Sequence, residues 1–334
     1  MTHESIAHEK DEAAHHEVSE QKSQKGKLRR ICGRFWWLYF LLFVIIVLAV
    51  VLPIIYVAYP KVARRAADRS TLQVTSMTIQ NPTPDSVELG FTQMVNNPTK
   101  YEPTLYPFNA SFYMLDNADN PPFASIRTPK ITKAANGTES EVPLQRVNIT
   151  HMDEFTRYVL LALGSEEFTV ALRGHGGLST SSLPKTNVNY DKNITLKGFD
   201  GLKNFGLLSF NTLNTTEPDG TNAVGVAAIF NPTVMTLNLG NVTLAMSVNG
   251  TDIGVATLNN LVLVPGLQQV DLRAEVYQLV AVGIVLERQN PVLPVDLKGG
   301  NSTVDGQQIP YYTTMLQEVA LQMDIDVTKA MEGS

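Results

Sequence analysis

FWWLYFLLFVIIVLAVVLPIIYVAY, residues 35–59, holds no charged side chain anywhere along its length. At about 1.5 Å per helical residue it outruns the roughly 30 Å hydrocarbon core of a bilayer, so it spans with some tilt. Trp36, Trp37 and Tyr39 lie at one end and Tyr56 and Tyr59 at the other, where aromatic rings suit the two headgroup layers. Pro53 is expected to kink the helix, a defect that a membrane span tolerates. A long polar segment, 1–34, precedes the run, and Lys61-Val62-Ala63-Arg64-Arg65 follows it without a small-x-small cleavage pattern. Both features argue for a retained signal-anchor.

Six basic residues (Lys22, Lys25, Lys27, Arg29, Arg30, Arg34) stand within the fourteen residues next before the span and four (Lys61, Arg64, Arg65, Arg69) closely after it, a bias that favours a cytosolic N-terminus. Sequons add to it. N-x-Ser/Thr occurs at Asn109, Asn136, Asn148, Asn193, Asn214, Asn241, Asn249 and Asn301 and nowhere before the span, which fits a glycosylated, luminal C-terminal part. The expectation is a single-pass type II membrane protein.

Residues 1–34 read as a disordered cytosolic tail, with hardly an apolar side chain to bury. Its first twenty residues are acidic and its next fourteen basic, so the basic part can pair with anionic lipid. His3, His8, His15 and His16 are unevenly spaced in neutral surroundings, the pattern of a solvated tail and not of a metal tract. Cys32, the only cysteine, lies beside the membrane, where S-acylation is chemically reasonable and a free thiol is the alternative. Without a disulfide the luminal part must be held by its own core, which its length permits.

Beyond a juxtamembrane linker at residues 60–69 the pattern changes to short β-like runs separated by Asn, Gly, Pro and Thr. Val242, Leu244, Met246 and Val248 share one face of an alternating run; so do Phe168, Val170 and Leu172, and Leu293, Val295 and Leu297. Period two with one apolar face marks half-buried antiparallel strands, and Asn249-Gly250 suits a tight hairpin turn. A helix is expected from Thr150, which can cap with Asp153 closing a capping box, through Met152, Phe155, Val159 and Ala162 to Gly164. A second covers about Val276 to Arg288, with Val276, Leu279, Val280 and Ile284 towards the core.

These pieces occur twice in the same order. An apolar strand enters Asn97-Pro98-Thr99 and another enters Asn231-Pro232-Thr233, an offset of 134 in sequence number. After further strands and a helix come the closing strands, which end at Arg173-Gly174 and Lys298-Gly299, an offset of 125. Nine extra residues in the first copy, assigned to the Asp116–Pro122 loop, reconcile the two numbers. The reading is one transmembrane helix followed by two tandem antiparallel β-sandwich modules, at 70–200 and 201–330, each with a short helix. In each motif Pro holds Asn extended and ends the strand, while the Asn amide satisfies nearby backbone groups.

An apolar strand into Asn-Pro-Thr, then strands, a short helix and a closing strand, resembles the late-embryogenesis-abundant type 2 (WHy) β-sandwich over about residues 70–330. The anchored, two-module arrangement is similar to fungal membrane proteins carrying a related domain of unknown function. The resemblance implies no catalytic residues and a location at the vacuolar membrane, with plasma membrane and endoplasmic reticulum as alternatives.

The residues themselves argue against an enzyme. Only His151 and His175 lie beyond the span, the second in Gly174-His175-Gly176-Gly177, read as a flexible turn after a strand. There is no metal-ligand spacing, no G-x-S-x-G elbow and no implied cofactor. From Phe35 onward 19 basic and 26 acidic residues argue against nucleic acid as a partner. Two functions remain: a membrane-anchored structural or interaction module with a luminal or membrane protein partner, and a lipid-handling protein whose ligand sits in a cavity or groove of the sandwiches. A close-packed core favours the first, a continuous apolar cavity the second.

Overall fold

The computed structural model describes residues 36–97, 102–115, 120–132, 134, 137–180 and 183–332. Contacts divide the chain into residues 1–61 and 62–334. One helix, Trp36–Arg69, is long and apolar enough to cross a membrane. It comprises α1 (Trp36–Pro53), a π-helical turn (Ile54–Ala58) and α2 (Tyr59–Arg69). The π turn follows Pro53 directly, where the proline ring and its missing N–H disturb the regular ladder. The expected linker at 60–69 is therefore helical, and Ala63 and Ala67 within it are buried.

The rest is mainly β. The first half runs β1 (Thr71–Thr83), β2 (Ser86–Asn96), β3 (Pro103–Leu105), β4 (Asn109–Met114), β5 (Ala124–Arg127), β6 (Thr138–Asn148), α3 (Met152–Gly164), β7 (Glu167–Thr180) and β8 (Thr186–Lys197). The second half runs β9 (Gly206–Thr212), β10 (Ala223–Asn231), β11 (Met235–Val248), β12 (Thr251–Leu263), β13 (Gly266–Val276), α4 (Gln278–Arg288), β14 (Val292–Val304), β15 (Gln307–Gln308), α5 (Pro310–Gln317), β16 (Ala320–Asp326) and α6 (Val327–Glu332). The alternating residues named above are buried, from Phe168 at 6% exposed to Val295 at 0%. Asn249 and Gly250 both take positive φ in the β11–β12 turn.

The strand pairing repeats. β1–β2, β2–β6, β4–β5, β4–β7 and β7–β8 recur as β9–β10, β10–β13, β11–β12, β11–β14 and β14–β16, all antiparallel. Both offsets meet in one ladder. Ala110 on β4 faces Gly174 on β7; Leu244, offset from Ala110 by 134, faces Gly299, offset from Gly174 by 125. Phe112 pairs with Ala124, whereas its counterpart Met246 pairs with the nearer Gly254. The β4–β5 connection thus supplies four of the nine extra residues, and the other five lie between β5 and β7. The halves are also joined. β1 pairs with β11 in parallel, Met77 opposite Met235 and Ile79 opposite Leu237, so strands of both halves share an 11-stranded sheet.

Three local expectations change. Thr150 does not cap α3: its hydroxyl donates to the Pro122 carbonyl, and His151 occupies the cap position without a side-chain bond to the helix. His175 is in no turn, because β7 continues through Gly174-His175-Gly176-Gly177 and His175 pairs with Asn189. The glycines are there for close packing. A Cβ on Gly174 or Gly176 would meet the Phe108 ring at 2.7 or 2.8 Å. Of the residues expected on the inner face of the second helix, Val276 instead ends β13 and, like Ile284 of α4, packs against the core, but Leu279 is 91% exposed and Val280 38%. Ala281 takes the inward position, and Leu279 lies about 200° around the helix from it.

Candidate functional site

Among the described residues His151 and His175 are both exposed, and no group of three or more His, Cys, Asp or Glu could hold a metal. His151 Nδ1 lies 2.8 Å from the Pro122 carbonyl, which accepts a hydrogen bond from it. Burial pushes the Tyr158 phenol up to about 12 and Tyr312 in the same direction. Both stay protonated at neutral pH and serve as core side chains.

Seven of the eight sequons fall in described segments; Asn136 and the tail at 1–34, with Cys32, lie outside them. Asn109, Asn148, Asn193, Asn214, Asn249 and Asn301 are exposed. Asn109 points away from buried Phe108, Ala110 and Phe112. Asn241 is half-buried, and its Oδ1 accepts the Asn260 N–H at 2.9 Å. The buried motif asparagines act on the backbone. Asn97 donates to the Ala134 carbonyl at 2.8 Å. Asn231 donates to the Met235 carbonyl at 2.8 Å and accepts from the Thr233 N–H at 2.9 Å. A third copy, Asn81-Pro82-Thr83, closes β1 at the β1–β2 turn, with Asn81 at φ 47°; the two-copy reading passed over it.

The two halves differ in how their interiors are filled. In the first, α3 buries Phe155, Tyr158, Val159, Ala162 and Leu163. Phe155 and Tyr158 join Phe112, Phe123 and Phe168 in a chain of ring contacts of 5.2–6.0 Å. The voids there are about 20, 30 and 40 Å³, far below the roughly 300 Å³ of a small-ligand pocket.

In the second half the corresponding helix leaves the space open. Counted from the first residue of each helix, Phe155 of α3 stands where α4 has Ala281, its one fully buried residue. A cavity of about 310 Å³ lies there beneath α4, lined by strands of the 11-stranded sheet. Its floor is Met246, Ile253, Leu293 and Val295, each no more than 2% exposed. Phe210 of β9, Ile325 of β16 and Ala330 of α6 form its walls. Asn214, Gln278, Val282 and Met331 line it and are themselves exposed, which marks the mouth. No charged residue lines it. Its volume is at the lower end of the roughly 300–1,000 Å³ of small-ligand pockets. Its floor is apolar and its mouth polar, a lining that suits a ligand with an apolar body and a polar end. The alternating strands announced their inward faces in sequence, but the missing ring was legible only by aligning the two helices.

A larger and more open depression of about 650 Å³ runs along Gly201, Lys203, Phe205, Asp296, Lys298 and Gln322. Two of its charges are already paired, Lys203 with Asp200 at 2.7 Å and Asp296 with Gln322 at 2.6 Å. The smaller cavity, with an apolar floor of buried side chains, is the candidate site.

The family described as protein of unknown function (DUF3712) matches residues 121–246. No curated protein matches the chain in sequence. Among solved structures, the chain is similar to the periplasmic chaperone SfaE at 9% identity, covering 76% of this chain and 98% of that one with a TM-score of 0.19. It is similar to the class 5 fimbriae chaperone CfaA at 11% identity, 76% and 98% coverage and a TM-score of 0.20. The E. coli chaperone DraB gives 13%, 77%, 98% and 0.18. At those scores the likeness carries no argument about this chain.

Proposed function

We propose that this is a membrane-anchored, non-enzymatic lipid-handling protein whose second sandwich holds an acyl chain. The observation that carries it is the 310 Å³ apolar cavity beneath α4, where α3 in the equivalent place fills its half with aromatic rings. Each methylene taken from water into such a site stabilises the complex by about 0.8 kcal/mol. The exposed Gln278 at the mouth supplies a polar group for a headgroup or carboxylate. The apolar helix at 36–53 supports a bilayer as the standing partner. Charge bias and sequons support a cytosolic N-terminus and a luminal, glycosylated body, and the resemblance to fungal membrane proteins supports the vacuolar membrane. The interaction-module reading draws on the close-packed first half, whose surface is free to bind a luminal protein.

The test is photo-crosslinking of the full-length protein in membranes with a diazirine-bearing palmitate. Adducts are expected on peptides of β11, β14 and α6. Ala281→Phe restores the missing ring and should remove most of that labelling. Labelling absent from these peptides, or untouched by Ala281→Phe, overturns the proposal.

A further inference from the structure

The cavity mouth holds a sequon. Of the seven in described segments, only Asn214, in Asn214-Thr215-Thr216, is among the cavity's lining residues. All three residues are exposed, and among the described residues the Asn214 amide makes no hydrogen bond, whereas the oxygen of Asn241 is engaged. The β9–β10 connection that carries Asn214 is tied down on both sides. The Leu213 N–H donates to the Asn222 carbonyl at 2.8 Å. Asn222 in turn grips Val276, its amide donating to the carbonyl at 2.8 Å and its oxygen accepting the N–H at 2.7 Å. Further along, Arg273 pairs with Glu217 and, at 3.2 Å, with Asp219. The Thr212 hydroxyl donates to the Ala330 carbonyl at 3.2 Å and so holds α6 beside the connection. Asn214 is thereby kept at the mouth.

We infer that Asn214 carries an N-linked glycan that roofs the cavity mouth and sets the rate at which the acyl chain enters and leaves. This inference rests on the lipid-handling reading. A glycan is bulky and strongly hydrated, so an apolar interior excludes it and it runs outward from Asn214. Beside the polar Gln278 it meets Val282 and Met331, which line the mouth at 38% and 57% exposed. Exposed apolar side chains around a cavity mark a surface that something covers. Sugar rings suit it, because their C–H faces pack on apolar side chains while their hydroxyls stay in water. Attached at the mouth itself, the glycan needs no affinity of its own to remain there: the link sets its effective concentration. It is present with the cavity full or empty. It therefore raises the barrier to exchange in both directions and leaves the binding equilibrium nearly untouched.

The test uses the full-length protein from a eukaryotic host. It is loaded in detergent with the diazirine-bearing palmitate, chased with unlabelled palmitate, and sampled by irradiation over time. Glycopeptide mass spectrometry should find Asn214 occupied. Thr216→Ala removes the sequon and leaves Asn214 in place; Thr216 is exposed, so the core stays intact. Loss of crosslinks from peptides of β11, β14 and α6 should then run roughly fivefold faster, while the amount bound at equilibrium changes by less than about twofold. Asn193→Gln removes an exposed sequon on β8, in the other half, and should leave the chase rate unchanged. An unoccupied Asn214, or a chase rate that Thr216→Ala does not alter, overturns the roof while continued labelling keeps the acyl-chain reading. Equal acceleration by Asn193→Gln overturns it too, since the effect would then belong to glycans at large. Peptides of the cavity that stay unlabelled in every variant remove the acyl-chain reading and the roof with it.

Discussion

Asn231 shows how much of this fold hangs on single side chains. It is 1% exposed, and its amide serves a carbonyl and an N–H of the turn that redirects β10 into β11. Asn231→Ala leaves the buried Thr233 N–H without its acceptor and the Met235 carbonyl with only a long bond of 3.4 Å from the Thr233 hydroxyl, at a cost of about 2–4 kcal/mol. For a chain of this size that is a drop in Tm of roughly 5–15 °C, measurable by thermal unfolding. An unchanged Tm would mean that water replaces the amide. The sequons also divide at this scale. Asn249 stands at an exposed, positive-φ turn, whereas Asn241 is half-buried with its oxygen engaged. Glycopeptide mass spectrometry should find Asn249 occupied and Asn241 the least occupied of the seven described sites; the reverse order would contradict the argument from exposure.

At the scale of elements, the strands were legible and the helices only half so. Period-two runs such as Val242–Val248 name their own buried face, because a strand has two sides and one was apolar. α4 misled because nearly all its residues are apolar, so periodicity could not tell Ala281, which faces in, from Leu279, which faces out. His175 misled because glycines were taken as turn formers, when Phe108 needs the room their missing side chains leave. The cavity could not be read from the strands that line it; it follows from Ala281 standing where Phe155 stands in the first half. Lys192 is another case. On β8 it is 6% exposed and donates to the carbonyls of Ala67, Asp68 and Ser70, closing the C-terminal end of α2. Burial pushes its pKa below the ordinary lysine value, against the pull of Asp68 and Asp191. Lys192→Met keeps the stem and removes the ammonium from all three carbonyls, leaving Ala67 the N–H and hydroxyl of Ser70. Helix α2 should then fray, and trypsin should cut after Arg65 and Arg69 several times faster than in the unmodified protein. Identical digestion rates would show that α2 is held by its packing alone.

Over the whole molecule, the repeat was visible in sequence and the joint between its halves was not. The offset between the two Asn-Pro-Thr motifs, or between the two closing strands, can be counted along the chain. The parallel contact of β1 with β11 brings Met77 against Met235, far apart in sequence and linked by no local pattern. The joint has side-chain partners as well. Tyr311 of α5 is 0% exposed, stands edge-on to Phe155 of α3 at 4.9 Å and donates its hydroxyl to the Thr83 carbonyl at 3.0 Å. One hydrophobic cluster accordingly runs from Leu72 to Ile325. Two sandwiches in series would melt separately; two that share a sheet and an aromatic contact should melt together. Val170→Asp separates these cases. Val170 is 2% exposed on β7, and an unpaired carboxylate there costs several kcal/mol. Hydrogen exchange of the full-length variant should accelerate in β4 and β7, and to a similar degree in β11 and β14, although the latter pair lies in the other half. Exchange that rises in β4 and β7 while β11 and β14 keep their protection would mean that the β1–β11 joint and Tyr311 carry little of the stability, and that each half is held by its own core.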